Sequence, residues 1–194
     1  MDEKCRCSWA GSTAIYRDYH DNEWGRPVHD DGRLFEMLIL EGMQAGLAWI
    51  TVLNKRVAFR EAFDGFDPAR VARYGDAKIQ ELMVNEKIIR NRLKINAAVI
   101  NAQVFLDVIE KCGGFNKMLW DYVDYAPVIG HWEKIEDVPA TTPLSDKISK
   151  DLKKMGFKFV GSTTIYAFMQ AIGMVNDHIT DCFVYKEIMK GKTL

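Results

Sequence analysis

Between Asn91 and Cys112 the apolar residues Ile95, Ala98, Val99, Ala102, Phe105, Leu106 and Ile109 recur at helical spacing, and Gly113-Gly114 closes the run. Such a stripe is one face of a long amphipathic helix, and glycine supplies the left-handed conformation that ends one. No stretch of the chain shows sustained period-two alternation, repeats or low complexity. The fold this predicts is all-α, with roughly eight to ten helices in one domain spanning 1–194.

The other helices follow from similar signals. A short one is predicted near Tyr16–Trp24, in a largely irregular N-terminal segment that Pro27 punctuates. Asp30 or Asp31 can cap the next, with Leu34, Phe35, Leu38 and Ile39 on its stripe. Gly42 and Gly46 predict a break, and a helix resumes at about Leu47 and runs to Phe63. Asp67-Pro68 opens a short helix and Asp76 caps another. Phe115–Tyr125 reads as a short aromatic helix. Ala126–Leu144 has three prolines and reads as a connection. Ser145 caps a basic helix to Met155, and Ser162 caps one to about Ala171. The tail after Tyr185 is expected to fray.

Three constellations carry chemistry. The first joins the chain ends. His178 and Cys182 lie one helical turn apart, and His20, Cys7 and Cys5 offer further soft ligands. Thiolate and imidazole suit zinc, which in structural sites takes four such ligands. Spacing alone does not choose between Cys5 and Cys7, and it equally allows a buried thiol beside a hydrogen-bonded histidine. The second is Gly156-Phe157-Lys158-Phe159-Val160-Gly161 between two helices. Its glycines admit a close backbone approach, and helix-start N–H groups bind phosphate. Lys147, Lys150, Lys153, Lys154 and Lys158 make a local basic patch that the net charge of −1 hides. An ordinary hairpin with a solvated lysine face fits the same residues. The third gathers Trp9, Tyr16, Tyr19, Trp24 and Trp49 with Glu41, a carboxylate set in the apolar run Leu-Ile-Leu-Glu-Gly. Aromatic planes beside a buried carboxylate suit a flat, polar or cationic ring. Plain core packing, with Glu41 turned to solvent, is the alternative.

No apolar run approaches a membrane span. Met1-Asp2-Glu3-Lys4-Cys5-Arg6 lacks a signal-peptide core, so the expectation is a cytoplasmic protein. A monomer is the default.

Taken together, the motifs resemble the 3-methyladenine DNA glycosylase I family. The resemblance is carried by Tyr19-His20-Asp21-Asn22-Glu23-Trp24-Gly25, Leu34-Phe35-Glu36-Met37, Leu40-Glu41-Gly42, Gln44-Ala45-Gly46-Leu47 and Trp49-Ile50-Thr51-Val52-Leu53. It continues through Ile88-Ile89-Arg90-Asn91-Arg92-x-Lys94-Ile95, Lys154-x-Gly156 to Gly161, and Phe168-Met169-Gln170-Ala171-x-Gly173-x-Val175-Asn176-Asp177-His178. It implies a helix-hairpin-helix DNA glycosylase fold, with the hairpin at about 145–173, and excision of N3-methylated adenine from double-stranded DNA as the first step of base excision repair. It further implies one structural zinc on Cys7, His20, His178 and Cys182, with Cys7 selected through Cys7-x-Trp9. A base pocket of Glu41, Tyr19, Trp49, Trp9 and Trp24 follows from the same likeness, with free 3-methyladenine as product. DNA contacts fall to Gly46, Leu47, Gly156, Lys158 and Gly161. Many members of the wider superfamily carry a catalytic aspartate where Asn176 stands here, which leaves Asp177 as a backup candidate. A non-catalytic module that binds DNA or modified bases, or a zinc hydrolase of small molecules, are the competing classes.

Overall fold

The structure, a computed structural model, describes residues 4–11 and 13–191. Met1–Glu3, part of the segment read for a signal core, and the last residues of the tail lie outside them. Among the described residues there are eleven α-helices and two very short strands. None of these helices is long and apolar enough to cross a membrane.

α2 (Asp31–Gln44) is the central helix. It is buried from Leu34 through Met43 and packs on α3 (Trp49–Leu53), α7 (Arg92–Cys112), α8 (Phe115–Trp120) and α10 (Ser162–Ala171). Asp30 caps it by accepting the Arg33 N–H at 2.8 Å. Asp31 instead receives the N–H groups that open α8, from Phe115 and Asn116. α7 matches its predicted stripe and ends at Gly113, which is left-handed at φ 78°.

Several boundaries differ from expectation for local reasons. The helix expected from Leu47 to Phe63 is two, α3 and α4 (Arg56–Ala62), and a 3₁₀ turn at Asp64–Phe66 follows. Pro143, at a first-turn position, moves the start of α9 (Pro143–Met155) upstream of Ser145. Thr142 is the cap, and Ser145 closes a capping box with it. Gly75 rather than Asp76 caps α6 (Asp76–Val84), and Gly161 rather than Ser162 caps α10. The connection after Phe115–Tyr125 contains β1 (Val128–Ile129), paired in parallel with β2 (Val175–Asn176) in the register Val128 to Val175. The tail forms α11 (Phe183–Gly191), anchored where the Phe183 N–H donates to the Cys5 carbonyl at 3.0 Å.

α1 (Ala14–Asn22) is joined to α2 and α4 by a chain of ion pairs. Both carboxylate oxygens of Glu23, which caps the C-terminus of α1, accept from Arg56 at 2.6 and 2.7 Å, and Glu23 also pairs with Arg33. Glu36 bridges Arg33 and Arg60, each at 2.7 Å. These pairs are partly buried and share partners, so the ordering of one side chain supports the next. They fix α1, and with it Tyr19 and His20, against the central helix.

Candidate functional site

α1, the loop before it and α2 meet at a cavity. Tyr19 faces it from α1, Glu41 from α2 and Trp49 from the start of α3, while Trp9 and Trp24 close the side. Five aromatic or acidic residues scattered from 9 to 49 thus line one space. The rings around it are set edge to face or tilted. Trp9 meets Trp24 at 5.1 Å between centroids, with planes 81° apart, and Tyr19 meets Trp49 at 5.4 Å.

Two polar atoms in this cavity lack partners. Glu41 Oε2 and Trp49 Nε1 are both buried without a hydrogen bond. An unmade bond on a buried polar group costs about 1–3 kcal/mol, so an acceptor and a donor are held ready at a steep cost. Glu41 is only 3% exposed, and burial pushes its carboxyl up to about 8. Burial also raises the Tyr19 phenol well above its ordinary value, with the charges of Glu41 and Glu23 adding to it. Tyr19 is therefore a neutral hydroxyl at physiological pH.

The cavity also includes Tyr16, which the aromatic set contained though the family likeness did not, and Gln44, Ala167 and Gln170, which the sequence reading carried into no pocket. Helical spacing could have found them. Tyr16 precedes Tyr19 by three residues on α1, Gln44 follows Glu41 by three on α2, and Ala167 and Gln170 are likewise neighbours on α10.

Directly behind the aromatic wall lies a metal-ligand cluster. Cys7, His20, His178 and Cys182 are all buried, and their ligand atoms lie within 4.8 Å of one another. Cys7 Sγ and Cys182 Sγ each stand 3.5 Å from His178 Nδ1, and Cys182 Sγ stands 3.5 Å from His20 Nε2. The outer nitrogens are both engaged. His20 Nδ1 meets the Asp21 carboxylate at 2.8 Å, and His178 Nε2 donates to the Trp24 carbonyl at 3.0 Å. Asp21 is held in turn by Arg6. Outer-shell hydrogen bonds of this kind turn the inner nitrogen toward a metal. The cluster could therefore hold one metal ion. Cys5, the competing thiol, is exposed and outside it. Gly25 seals the back, since a Cβ there would lie 2.9 Å from the His178 ring and its φ is +76°.

Cluster and cavity share a wall. The His178 ring packs against Trp24 at 4.6 Å and the His20 ring against Trp9 at 5.2 Å. Whatever fixes the two histidines also fixes two walls of the cavity and the neighbouring Tyr19.

A groove adjoins the cavity, sharing Glu41, Gln44 and Ala167 with it. It runs from Glu41 and Gln44 past Gly46 and Leu47 to Thr163 and Thr164 at the start of α10. Gly46 is left-handed at φ +78° and Leu47 is 43% exposed. α10 also packs against α9, and the two form a helical hairpin. Gly156 ends α9 in the left-handed region, Phe157 and Val160 are buried, and Lys158 points outward. Ser149 ties the turn by donating to the Val160 carbonyl at 2.6 Å.

Residues 9–185 match the Methyladenine glycosylase family. The chain belongs to that family. It is 48% identical over 178 residues to the DNA-3-methyladenine glycosylase of Haemophilus influenzae, covering 91% of this chain and 96% of that protein. Among solved structures, a 3-methyladenine DNA glycosylase I superposes with a TM-score of 0.89 at 49% identity, over 92% of this chain and 98% of the other. A variant of a 3-methyladenine DNA glycosylase I solved in complex with 3-methyladenine is 37% identical, again with a TM-score of 0.89, over 92% and 96% of the two chains.

Within this methyladenine glycosylase fold Asp177 has a plain structural assignment. It is 1% exposed and accepts hydrogen bonds from Trp132 at 2.7 Å, Tyr166 at 2.6 Å and Gln170 at 2.9 Å. A carboxylate so occupied orients Gln170 at the edge of the cavity and ties the segment after β1, through Trp132, to α10. Among the described residues it does not line the cavity that holds Glu41.

Proposed function

We infer that the chain hydrolyses the N-glycosidic bond of N3-methylated adenine in alkylated duplex DNA, releasing 3-methyladenine and leaving an abasic site. The observation that carries this reading is the unpaired, buried Glu41 carboxyl beside an unpaired Trp49 N–H in an aromatic cavity. Membership of the family supports it.

The electrostatics favour a cationic base. With the carboxyl raised to about 8, ionising it at pH 7 costs about 1.4 kcal/mol. A unit cation about 4 Å away returns about 4 kcal/mol at an effective dielectric of 20. Adenine methylated at N3 carries that positive charge, and unmodified adenine does not. Glu41 then accepts hydrogen bonds from the amino edge, Tyr19 adds a polar contact, and Trp49 and Trp9 stack on the ring, a contact worth about 1–3 kcal/mol per base. Trp24 completes the wall. Flipping costs a few kcal/mol, less for a damaged base. Water oxygen bonds to the sugar carbon C1′ as its bond to N9 breaks. The base leaves with the electron pair as neutral 3-methyladenine, and the water proton passes to solvent.

Gly46 and Leu47 probe the duplex at the vacated position. Gly156, Lys158 and Gly161 grip the backbone as a helix-hairpin-helix. Lys158→Ala is expected to weaken duplex binding and reduce the slope of log K against log salt by about 0.9. Titrations at several salt concentrations with unchanged slope would remove Lys158 from the phosphate contacts.

The cluster fits zinc. Two thiols and two imidazoles are one of its structural sets, and bonds of about 2.0–2.3 Å give tetrahedral sulfur–nitrogen separations close to the three of 3.5 Å between these thiols and imidazoles. With four protein ligands and no exposed face, the ion would serve the fold and leave the hydrolysis to the aromatic cavity.

The test is chromatography of bases released from methylated duplex DNA. Appearance of 3-methyladenine supports catalysis, whereas tight DNA binding without release identifies a binding module instead.

A further inference from the structure

α7 touches both segments read above as DNA contacts. Lys94 is 8% exposed. Its ammonium donates to the Met43 carbonyl at 2.8 Å and the Ala45 carbonyl at 2.7 Å. These carbonyls close α2, the first lying two residues after Glu41 and the second immediately before Gly46-Leu47. A cation at this helix C-terminus is favourably placed against the dipole, and it fixes where the loop leaves the helix. Two turns further along α7, ~10 Å by helix geometry, Asn101 does the same for the hairpin. Its side chain, 3% exposed, accepts the Lys158 N–H at 2.7 Å and donates to the Lys158 carbonyl at 3.0 Å. Both bonds go to backbone, so they set the path of the turn whatever side chain stands at 158. Phe159 lies between the two anchors. It is held at φ +56° and packs where Gly42 of α2 faces α7, beside Lys94 and Asn101.

We propose that Lys94 and Asn101 are positioning residues that hold the Gly46-Leu47 loop and the Gly156–Gly161 turn at the fixed separation needed to draw a base out of a duplex. The proposal rests on reading those two segments as the DNA-contacting elements. Neither residue lines the base cavity, so recognition of a free base is untouched by their loss. A misplacement of about 1 Å at elements that align a reaction can cost about a hundredfold in rate.

The variants are Lys94→Met, which keeps the aliphatic length, and Asn101→Ala, whose released backbone groups can be hydrated. Each is compared with the parent for single-turnover release of 3-methyladenine from methylated duplex DNA and for equilibrium affinity for free 3-methyladenine. The expected result is about a ten- to hundredfold loss of duplex release, with free-base affinity within twofold, and recovery of much of the rate in Lys94→Arg. Asn101→Ala decides the matter if Lys94→Met does not fold. Duplex release that is unchanged, or that falls only in step with free-base affinity, overturns the proposal. A parent protein that releases no base would instead overturn the functional reading on which it rests.

Discussion

Glu41→Gln binds free 3-methyladenine about 10- to 100-fold more weakly than the parent, and its stability relative to the parent rises with pH. The affinity loss follows because the buried carboxyl, protonated at neutral pH, passes its proton to the bound base and then accepts from the resulting cation as a carboxylate, which a neutral amide cannot do. Hydrogen bonds to charged groups are worth about 1.5–3 kcal/mol, which converts to that range of Kd. The stability change follows from burial, which raises the carboxyl from 4.5 to about 8. A carboxyl whose folded pKa lies above its unfolded one contributes stability that is complete below the unfolded value, near pH 4.5. That stability is lost as the pH climbs toward 8, because the folded state must either hold the proton or bury a charge. Glutamine has no such dependence. Between pH 5 and pH 8 the balance therefore moves in favour of the variant by a few kcal/mol. Thermal melts at the two pH values test this, and an equal gap at both would show that Glu41 is not held in a desolvating pocket. Gaining stability while losing recognition is the signature of a group kept strained for function.

His178→Ala has the second large effect, and it falls on the fold. On the zinc assignment proposed above, the variant is expected to retain no zinc and to melt roughly 10 °C lower, from a loss of about 3–5 kcal/mol spread over a chain of this size. His178 lies on the short segment between β2 and α11, and its partners Cys7 and His20 belong to the N-terminal segment. Removing it leaves two thiols and an imidazole buried without their common partner. It also frees the Trp24 carbonyl, which accepts the His178 N–H, so the cavity wall loosens together with the chain ends. Metal analysis and calorimetry on the purified variant check both parts. Normal zinc content with an unshifted melting temperature would remove His178 from a metal site.

How much of this was legible in the sequence depended on the range of each signal. The stripe of α7 and the Gly113 stop are local and read directly. Caps were read to within a few residues, and Pro143 moved one because its ring favours a first-turn position that the serine pattern alone did not reveal. β1 and β2 are too short to show any alternation. Only His178 and Cys182 announce themselves by spacing. Cys7 and His20 join them in the folded chain, and without the family resemblance Cys5 would have remained an equal choice. The aromatic residues with Glu41 were visible as a set because a carboxylate interrupts an apolar run. Asn101 was not visible and Lys94 only as a motif residue without a role, since a lysine and an asparagine on a long helix look like solvated positions until α2 and the hairpin are packed against them.

The most direct test of the central claim is a count of products from one duplex substrate carrying both N3-methylated and normal adenines. The account predicts one abasic site for each 3-methyladenine released, no free adenine, and release slowed strongly in Glu41→Gln. Abasic sites formed equally at normal adenines, or release at the parent rate by Glu41→Gln, would contradict it.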